Sequence, residues 1–448
     1  MHRHLTVGTV AFLAWSGAAF AQDVELEVIA TEPEYSAQDG AIWSIYEQEN
    51  PGVTVKMMSI NEDTESAYQA RVAGGDPADI RSNIFFPTKD NYQTYYDVTD
   101  MDCVQWDLFS YDAQNAFRQT HGIDHQPSVN VRSNPFRQFV YYEDVMADAG
   151  LDPKSISTLE ELETFLADLK VYVDNDDRLE HVIDAGWLPP AWGRFNNEVW
   201  AMGFGATKQE VRDLYLGKIA WTDQDKNPFV PFFEKLREWY AAGYMPANWW
   251  ERSWEQEFEA SFIAGRSALA FHGPWIFDKV QAQNPEAKLN GFFFPPNREN
   301  KVWGPESTSD YGSALYAAKA GDDNFEAAQD AFCWWVSPEI VKLRAEAIGF
   351  VPAMDLSSVG GAELTNTQYV KVLKPVLDGE AGFEFDQSLC GMCVAAKFRV
   401  AGTPEVMVDG SMSEVFGDYI TGEMEMDALL TLLQERYDRA YDIPVGAQ

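Results

Sequence analysis

The chain has 448 residues, enough for two domains at about 100–200 residues each, and 46% of them are hydrophobic, ample for a packed core. It carries 71 acidic against 33 basic residues, a formal net charge of −38. A balance this acidic excludes nucleic acid as a partner, because phosphate binding needs a basic footprint; it disfavours polyanionic ligands and keeps the fold soluble.

Residues 1–21 read as a secretory signal. His2-Arg3-His4 is a basic start, Leu5 to Trp15 is apolar, and Ala19-Phe20-Ala21 is a small-residue cleavage site. The apolar run falls well short of the ~20 residues of a spanning helix. The mature chain is expected to begin at Gln22, with no cysteine there to carry a lipid, and to reside in the periplasm.

Val24 to Ala30 alternates apolar and acidic residues before turning fully apolar, as a first strand can. Thr31 to Gly40 reads as loop. Ile42, Ile45 and Tyr46 mark a helix that Asn50-Pro51-Gly52 stops. Val53 to Met58 is a second strand, so the opening is a βαβ unit with a parallel pair. A helix ending near Ala70 to Gly75 leads to a third strand from Ile80 to Phe86. Val129 to Val145 is the expected first passage between domains. Thr158 with Glu161, or Ser157 with Glu160, forms a capping box. Leu159, Leu162, Leu166 and Leu169 follow as a core-facing stripe.

Trp187 to Trp200 mixes aromatic, amide and basic groups around Pro189-Pro190, which forces part of it into a loop. A helix over 232–242 ends at Gly243. Trp249 and Trp250 point in different directions, so at most one can face a ligand. Trp254, Phe258 and Phe262 share one helical face, and Gly265 provides a C-cap. Ala268 to Phe271 is a short buried strand. His272-Gly273-Pro274 breaks it and delivers Trp275 at its carboxyl end, where open α/β sheets bind ligands. Gly291 to Pro296 and Ala314 to Ala318 are further strands, Phe325 to Val336 is a helix, and Phe416 to Ala440 is an amphipathic helical region broken by Gly422.

Four cysteines, Cys103, Cys333, Cys390 and Cys393, allow three pairings, and the sequence does not choose between them. Cys390-Gly391-Met392-Cys393 has neither the βαβ setting of a redox site nor the second ligand pair of a zinc site. A local structural disulfide is the default reading. Aromatics reach 14% of the chain, with 15 Trp. Such a surplus suits sugar, whose C–H faces stack on rings while polar side chains take the hydroxyls.

Several segments together resemble the extracellular solute-binding proteins of sugar ABC importers, the maltose-binding-protein-like family. They are Tyr46 to Val55, Ala70 to Ile80 with Ala78 inserted between Pro77 and Asp79, and Phe136 to Val145 with Glu143 where Asn is usual. They continue with Asp152 to Leu162 with Leu159 in place of Trp, Tyr244-Met245-Pro246, Phe262 to Trp275, and Ser307 to Ser313 with Tyr311 replacing Gly. Glu326 to Pro338 and Gly349 to Pro352 complete the set, and the likeness spans nearly all of residues 24–440.

The resemblance implies a two-lobed α/β binding protein, each lobe a mainly parallel sheet flanked by helices. Three chain crossings are expected near residues 135, 272 and 320. They assign 22–135 plus 273–320 to the first lobe and 136–272 plus 321–448 to the second. The implied function is capture of an oligosaccharide or glycoside by lobe closure and delivery to the inner-membrane permease of an ABC importer. The protein is expected to be a monomer with no cofactor, metal or catalytic residue. Candidate ligand contacts are Trp275, Asp310 and Tyr311 from motif position. Glu32 and Tyr35 follow the first strand, Asn83 and Phe85 come from the third, and Trp187, Trp192 and Arg194 lie in the aromatic stretch. The alternatives are a secreted glycoside hydrolase, which needs two carboxylates ~5–5.5 Å or ~6.5–9.5 Å apart, and the same fold holding a non-sugar ligand such as a glycerol phosphate. No Ser-His-Asp, zinc or P-loop pattern is evident.

Overall fold

In a computed structural model, the described residues are 23–30, 36–60, 62–84, 92–109, 124–133, 138–188, 197, 199–215, 217–273, 275–303, 312–348, 350–362, 372, 382, 384–386 and 412–440. They form two lobes, each with its own sheet and its own apolar core.

In the first lobe, β1 (Val24–Ala30), β2 (Val53–Ser59), β3 (Ile80–Ile84) and β10 (Gly312–Leu315) form a sheet of order β10-β3-β1-β2. Its β1–β2 and β1–β3 ladders are parallel, while β10 runs antiparallel to β3. The alternation in β1 does its expected work: Leu26 and Val28 are fully buried and join the core of this lobe. Helices α1 (Ser36–Glu49) and α2 (Glu62–Ala73) complete two βαβ passages. Helix α1 starts at Ser36, inside the stretch expected to be loop. It stops where Asn50-Pro51-Gly52 requires, with Gly52 at φ 101°.

The second lobe holds β5 (Gln138–Tyr142), β6 (His181–Asp184), β7 (Ser267–His272) and β8 (Leu289–Phe292) in the order β6-β7-β5-β8. Only β6–β7 is parallel; β5 is antiparallel to both neighbours. This sheet is therefore mixed, not mainly parallel as expected, because β5 enters from the opposite end. Around it pack α3 (Glu143–Ala149), α4 (Leu159–Val173), α5 (Lys208–Tyr215), α6 (Val230–Ala241), the short α7 (Ala260–Ile263) and α8 (Trp275–Gln283). The capping box of α4 uses Thr158 and Glu161: Glu161 N donates to Thr158 Oγ1 at 3.2 Å, and Thr158 N to Glu161 Oε2 at 3.0 Å. Leu162, Leu166 and Leu169 are fully buried, each worth about 1.5–3 kcal/mol of burial.

The lobes exchange segments differently from the expected 273–320 and 321–448 division. Helices α9 (Phe325–Trp335) and α10 (Pro338–Ile348) lie in the first core, where Trp335 stacks on Trp43 at 4.4 Å. Conversely, α8 and β8 stay in the second lobe, as do α11 (Met412–Thr421) and α12 (Met426–Ala440). The apolar faces decide this, since Phe332 and Trp335 fit the first core while Ile276, Phe277 and Val280 fit the second. The chain consequently changes lobes between Ser133 and Gln138, between Asn297 and Gly312, and again between Ala362 and Val372. Strands β7 and β8 both belong to the second sheet, and β10 and α9 both to the first lobe, so the passages expected near 272 and 320 do not fall there.

Two small pairings remain: β4 (Arg132–Ser133) with β11 (Val351–Pro352), and β9 (Lys301–Trp303) with β12 (Glu384–Asp386). A disulfide joins Cys103 to Cys333 on α9, with Cα atoms 5.5 Å apart. The expected bridge between Cys390 and Cys393 lies outside the described residues. Among the described residues, no helix is long and apolar enough to cross a membrane.

Candidate functional site

Strand polarity brings the candidate stretches to one end of the first sheet. Because β1, β2 and β3 are parallel, their carboxyl ends lie together. The antiparallel β10 places its amino end beside them, with Gly312 opposite Ile84. In sequence, Glu32 and Tyr35 follow β1, Asn83 lies within β3 and Phe85 follows it, and Asp310 and Tyr311 precede β10. Of these, Asn83 is described as backbone within β3; Glu32, Tyr35, Phe85, Asp310 and Tyr311 lie outside the described residues.

This end of the sheet has a tightly packed polar floor. Ser82 Oγ donates to Ile29 O at 2.9 Å, and Ser313 Oγ donates to Ser82 O at 2.9 Å. Val129 pairs with Ser313 as an additional bridge. Gly312 is required here: a Cβ would lie 2.4 Å from Ser128 Oγ. Sequence reasoning did not select Ser128, Asn130 or Ser313, although all three are buried polar residues beside the strand ends. Ser128 and Asn130 alternate with Val129 and Val131, a strand-like pattern that could have marked them, whereas Ser313 carries no such local signal.

The second sheet has a matching end. His272 closes β7 and pairs with Gln138, the first residue of β5. The carboxyl ends of β6 and β8 lie at that same end, by Asp184 opposite Ala270 and Phe292 opposite Phe139. From Ser133 to Gln138 is five residue steps, so the chain spans at most about 18 Å there. Both sheets therefore present their strand carboxyl ends at the passage between the lobes, where ligands of open α/β sheets bind.

Two polar clusters brace the second end. Arg252 donates from Nη1 to Asp184 Oδ1 and to Ala185 O, the latter at 3.0 Å, and from Nη2 to Glu257 O at 3.1 Å. Gly186 follows, and a Cβ there would lie 2.8 Å from Ser253 O, so backbone meets backbone. The other cluster is centred on His272, which is fully buried at the close of β7. Its Nε2 lies 2.9 Å from Glu259 Oε1 and its Nδ1 3.0 Å from Gly273 O. Trp254 Nε1 donates to Glu259 Oε1 at 2.9 Å, and Lys279 Nζ to Oε2 at 2.7 Å. Burial alone would raise the Glu259 pKa; the hydrogen bond and charge of His272, with those of Lys279, instead bring it down to about 2. For His272, burial pushes the pKa down by more than Glu259 and the Gly273 carbonyl push it up, so it lies below the ordinary imidazole value.

Trp275 opens α8 directly after this cluster, at the carboxyl end of β7. Trp187 belongs elsewhere. It is fully buried in the second core, 5.0 Å from Phe416 and 5.8 Å from Trp249 by ring centroids, and offers a ligand no surface. The aromatic richness that marked it as a site residue serves packing. Trp249, Trp250 and Trp200 are buried in the same core. Trp192 and Arg194 lie outside the described residues. Among the described residues, no group of three His, Cys, Asp or Glu could hold a metal ion.

A sequence profile of bacterial extracellular solute-binding proteins matches residues 41–396. The chain belongs to that family. Compared by sequence with curated proteins, this family member matches none. Solved structures of similar fold include a chitin oligosaccharide binding protein, 18% identical, with a TM-score of 0.66 over 93% of this chain and 99% of that one. Another is RafE in complex with raffinose, 14% identical, with a TM-score of 0.65 over 93% and 99% of the two chains. The sugar-binding protein MalE of Xanthomonas citri is 13% identical, with a TM-score of 0.58 over 93% and 97%. The two-lobed fold of this solute-binding protein is the one those structures share.

Proposed function

We propose that this solute-binding protein captures an oligosaccharide or glycoside between its lobes in the periplasm and delivers it to the permease of an ABC importer. The mature protein starts at Gln22 and works as a monomer. The observation that carries this reading is the convergence of strand ends from both sheets at the passage between lobes. A ligand held there touches both lobes, so binding favours the closed form by its differential contacts. The permease reads closure, and no bond in the sugar is made or broken. Trp275 and the segments around 32–35, 83–85, 192–194 and 310–311 supply rings for stacking and polar groups for hydroxyls. The solved relatives whose names include chitin oligosaccharide and raffinose support the carbohydrate class.

A thermal-shift screen of the mature chain against chitin oligosaccharides, raffinose, stachyose, monosaccharides and sugar phosphates tests this. A ligand at a thousandfold excess over its Kd stabilises by about 4 kcal/mol. A shift confined to one neutral sugar class is expected. A cooperative melt unmoved by every sugar, or moved only by phosphates, overturns the carbohydrate assignment.

A further inference from the structure

In the first lobe, residues 95–109 run as a series of short turns. Met101 N donates to Val98 O at 3.3 Å, and Val104 N to Met101 O at 3.0 Å. Trp106 Nε1 donates back to Thr99 O at 3.2 Å. Val98, Val104 and Phe109 are buried in the first core and seat the run along the lobe. Ordering so irregular a run costs backbone entropy that no regular ladder offsets, so its anchors hold it.

The anchors fall on the first-lobe ends of all three passages between the lobes. On the stretch that leads into the first passage, Val98 N donates to Gln126 O at 2.9 Å and Gln126 N to Asp97 Oδ1 at 3.1 Å. The second passage opens onto β10, where Tyr96 N donates to Leu315 O at 2.8 Å and Tyr95 bridges Tyr316. On the stretch that leads to the third, Asp355 N donates to Leu108 O and Phe109 bridges Met354. The three ends are also joined to one another. Val129 and Ser313 exchange both backbone bonds, at 2.9 and 2.8 Å, and Ala353 N donates to Val131 O at 2.9 Å beside the β4–β11 pair. The disulfide from Cys103 to Cys333 fastens the middle of the run to α9. Cys103 lies five residue steps from Val98 and five from Leu108, midway between the two sets of anchors.

We propose that residues 95–109, pinned by the Cys103–Cys333 disulfide, are a strap that holds the first-lobe ends of the three passages as one unit, so that they move together when the lobes close. Hinged closure is absorbed by a few chain segments between two bodies. With their ends held as one body, closing is a single rotation and binding has little left to order. With the strap loosened, each end moves by itself, and the ligand must order them as it binds, which lowers affinity. Only this effect on affinity rests on the proposed sugar-binding function; the grip of the strap on the three ends does not.

The test uses two variants of the mature chain. C103A/C333A removes the bridge. Asp97→Ala keeps it and removes the acceptor of Gln126 N, Thr99 N and Thr99 Oγ1. Amide hydrogen exchange is read at Val129, Ser313 and Ala353, which bond to the neighbouring passage ends and not to the strap. In each variant these three amides are expected to speed at least tenfold more than the amides of β1 and β2. Equal changes throughout the lobe, as a general loss of stability produces, overturn the proposal, and so do unchanged rates at the three amides. In titration calorimetry, affinity for whichever of raffinose, stachyose and a chitin oligosaccharide binds is expected to fall at least fivefold in both variants. An affinity that stays flat while the three amides speed overturns the role in closure. Failure of all three sugars to bind counts against the sugar reading alone, and the exchange rates then decide the strap.

Discussion

Replacing Trp335 with alanine tests the placement of α9 in the first lobe. Trp335 has no exposed surface, stacks on Trp43 at 4.4 Å and 10°, and lies under the Arg344 guanidinium, 3.8 Å from the ring centre. Truncating a buried tryptophan to alanine costs about 3–5 kcal/mol. The lost stack contributes about 0.5–1.5 kcal/mol beyond burial, and the lost cation–π contact adds about 0.5–2 kcal/mol. These overlap, so the expected loss is about 4–6 kcal/mol. The charge on Arg344, 3.7 Å from the buried Asp39, also loses its aromatic cover. For a unit of 150–250 residues each kcal/mol is worth about 2–4 °C, so the first-lobe transition should fall by about 8–24 °C. Differential scanning calorimetry checks this, and Trp335→Phe should recover more than half of the loss. A loss below about 1 kcal/mol would refute the packing argument, and so would a shift confined to the second lobe, where the sequence alone had placed this helix.

The disulfide between Cys103 and Cys333 closes a loop across 230 residues. Loop-closure entropy gives an upper bound of about 5 kcal/mol, so C103A/C333A should lower the urea midpoint of the first lobe by an amount worth about 2–5 kcal/mol. Trp187→Phe should leave sugar affinity within about twofold of wild type in a calorimetric titration, because the ring lies wholly within the core; a loss of tenfold or more would return it to the site. Glu259 has a pKa depressed from 4.5 to about 2. Its contribution is fully present above pH 4.5 and is lost as pH falls toward 2, by about 3 kcal/mol at one pKa unit per 1.36 kcal/mol. Glu259→Gln should remove that part of the acid dependence in a pH series of melts.

Legibility in the sequence followed locality. The opening βαβ unit, the α4 capping box and the Gly265 cap are set by neighbours a few residues apart, and all appear as read. The allocation of α8, α9 and β8 to lobes depends on which apolar face fits which core, a long-range choice that periodicity does not encode. Much the same holds for β5, whose antiparallel entry depends on where the chain crosses between lobes. Trp187 misled because a ring has the same composition in a core as in a cleft. Glu259 escaped notice because its partner His272 is 13 residues away and meets it only through a π-turn.

Hydrogen exchange with and without sugar tests the central claim most directly. The mature chain is exchanged alone and with whichever of raffinose, stachyose and a chitin oligosaccharide raises its melting temperature. The account predicts slowed exchange at the strand ends of both lobes together, in peptides covering residues 30–36, 82–86, 309–313 and 272–277. Protection confined to one lobe, or absent from all four segments with sugar bound, would contradict it.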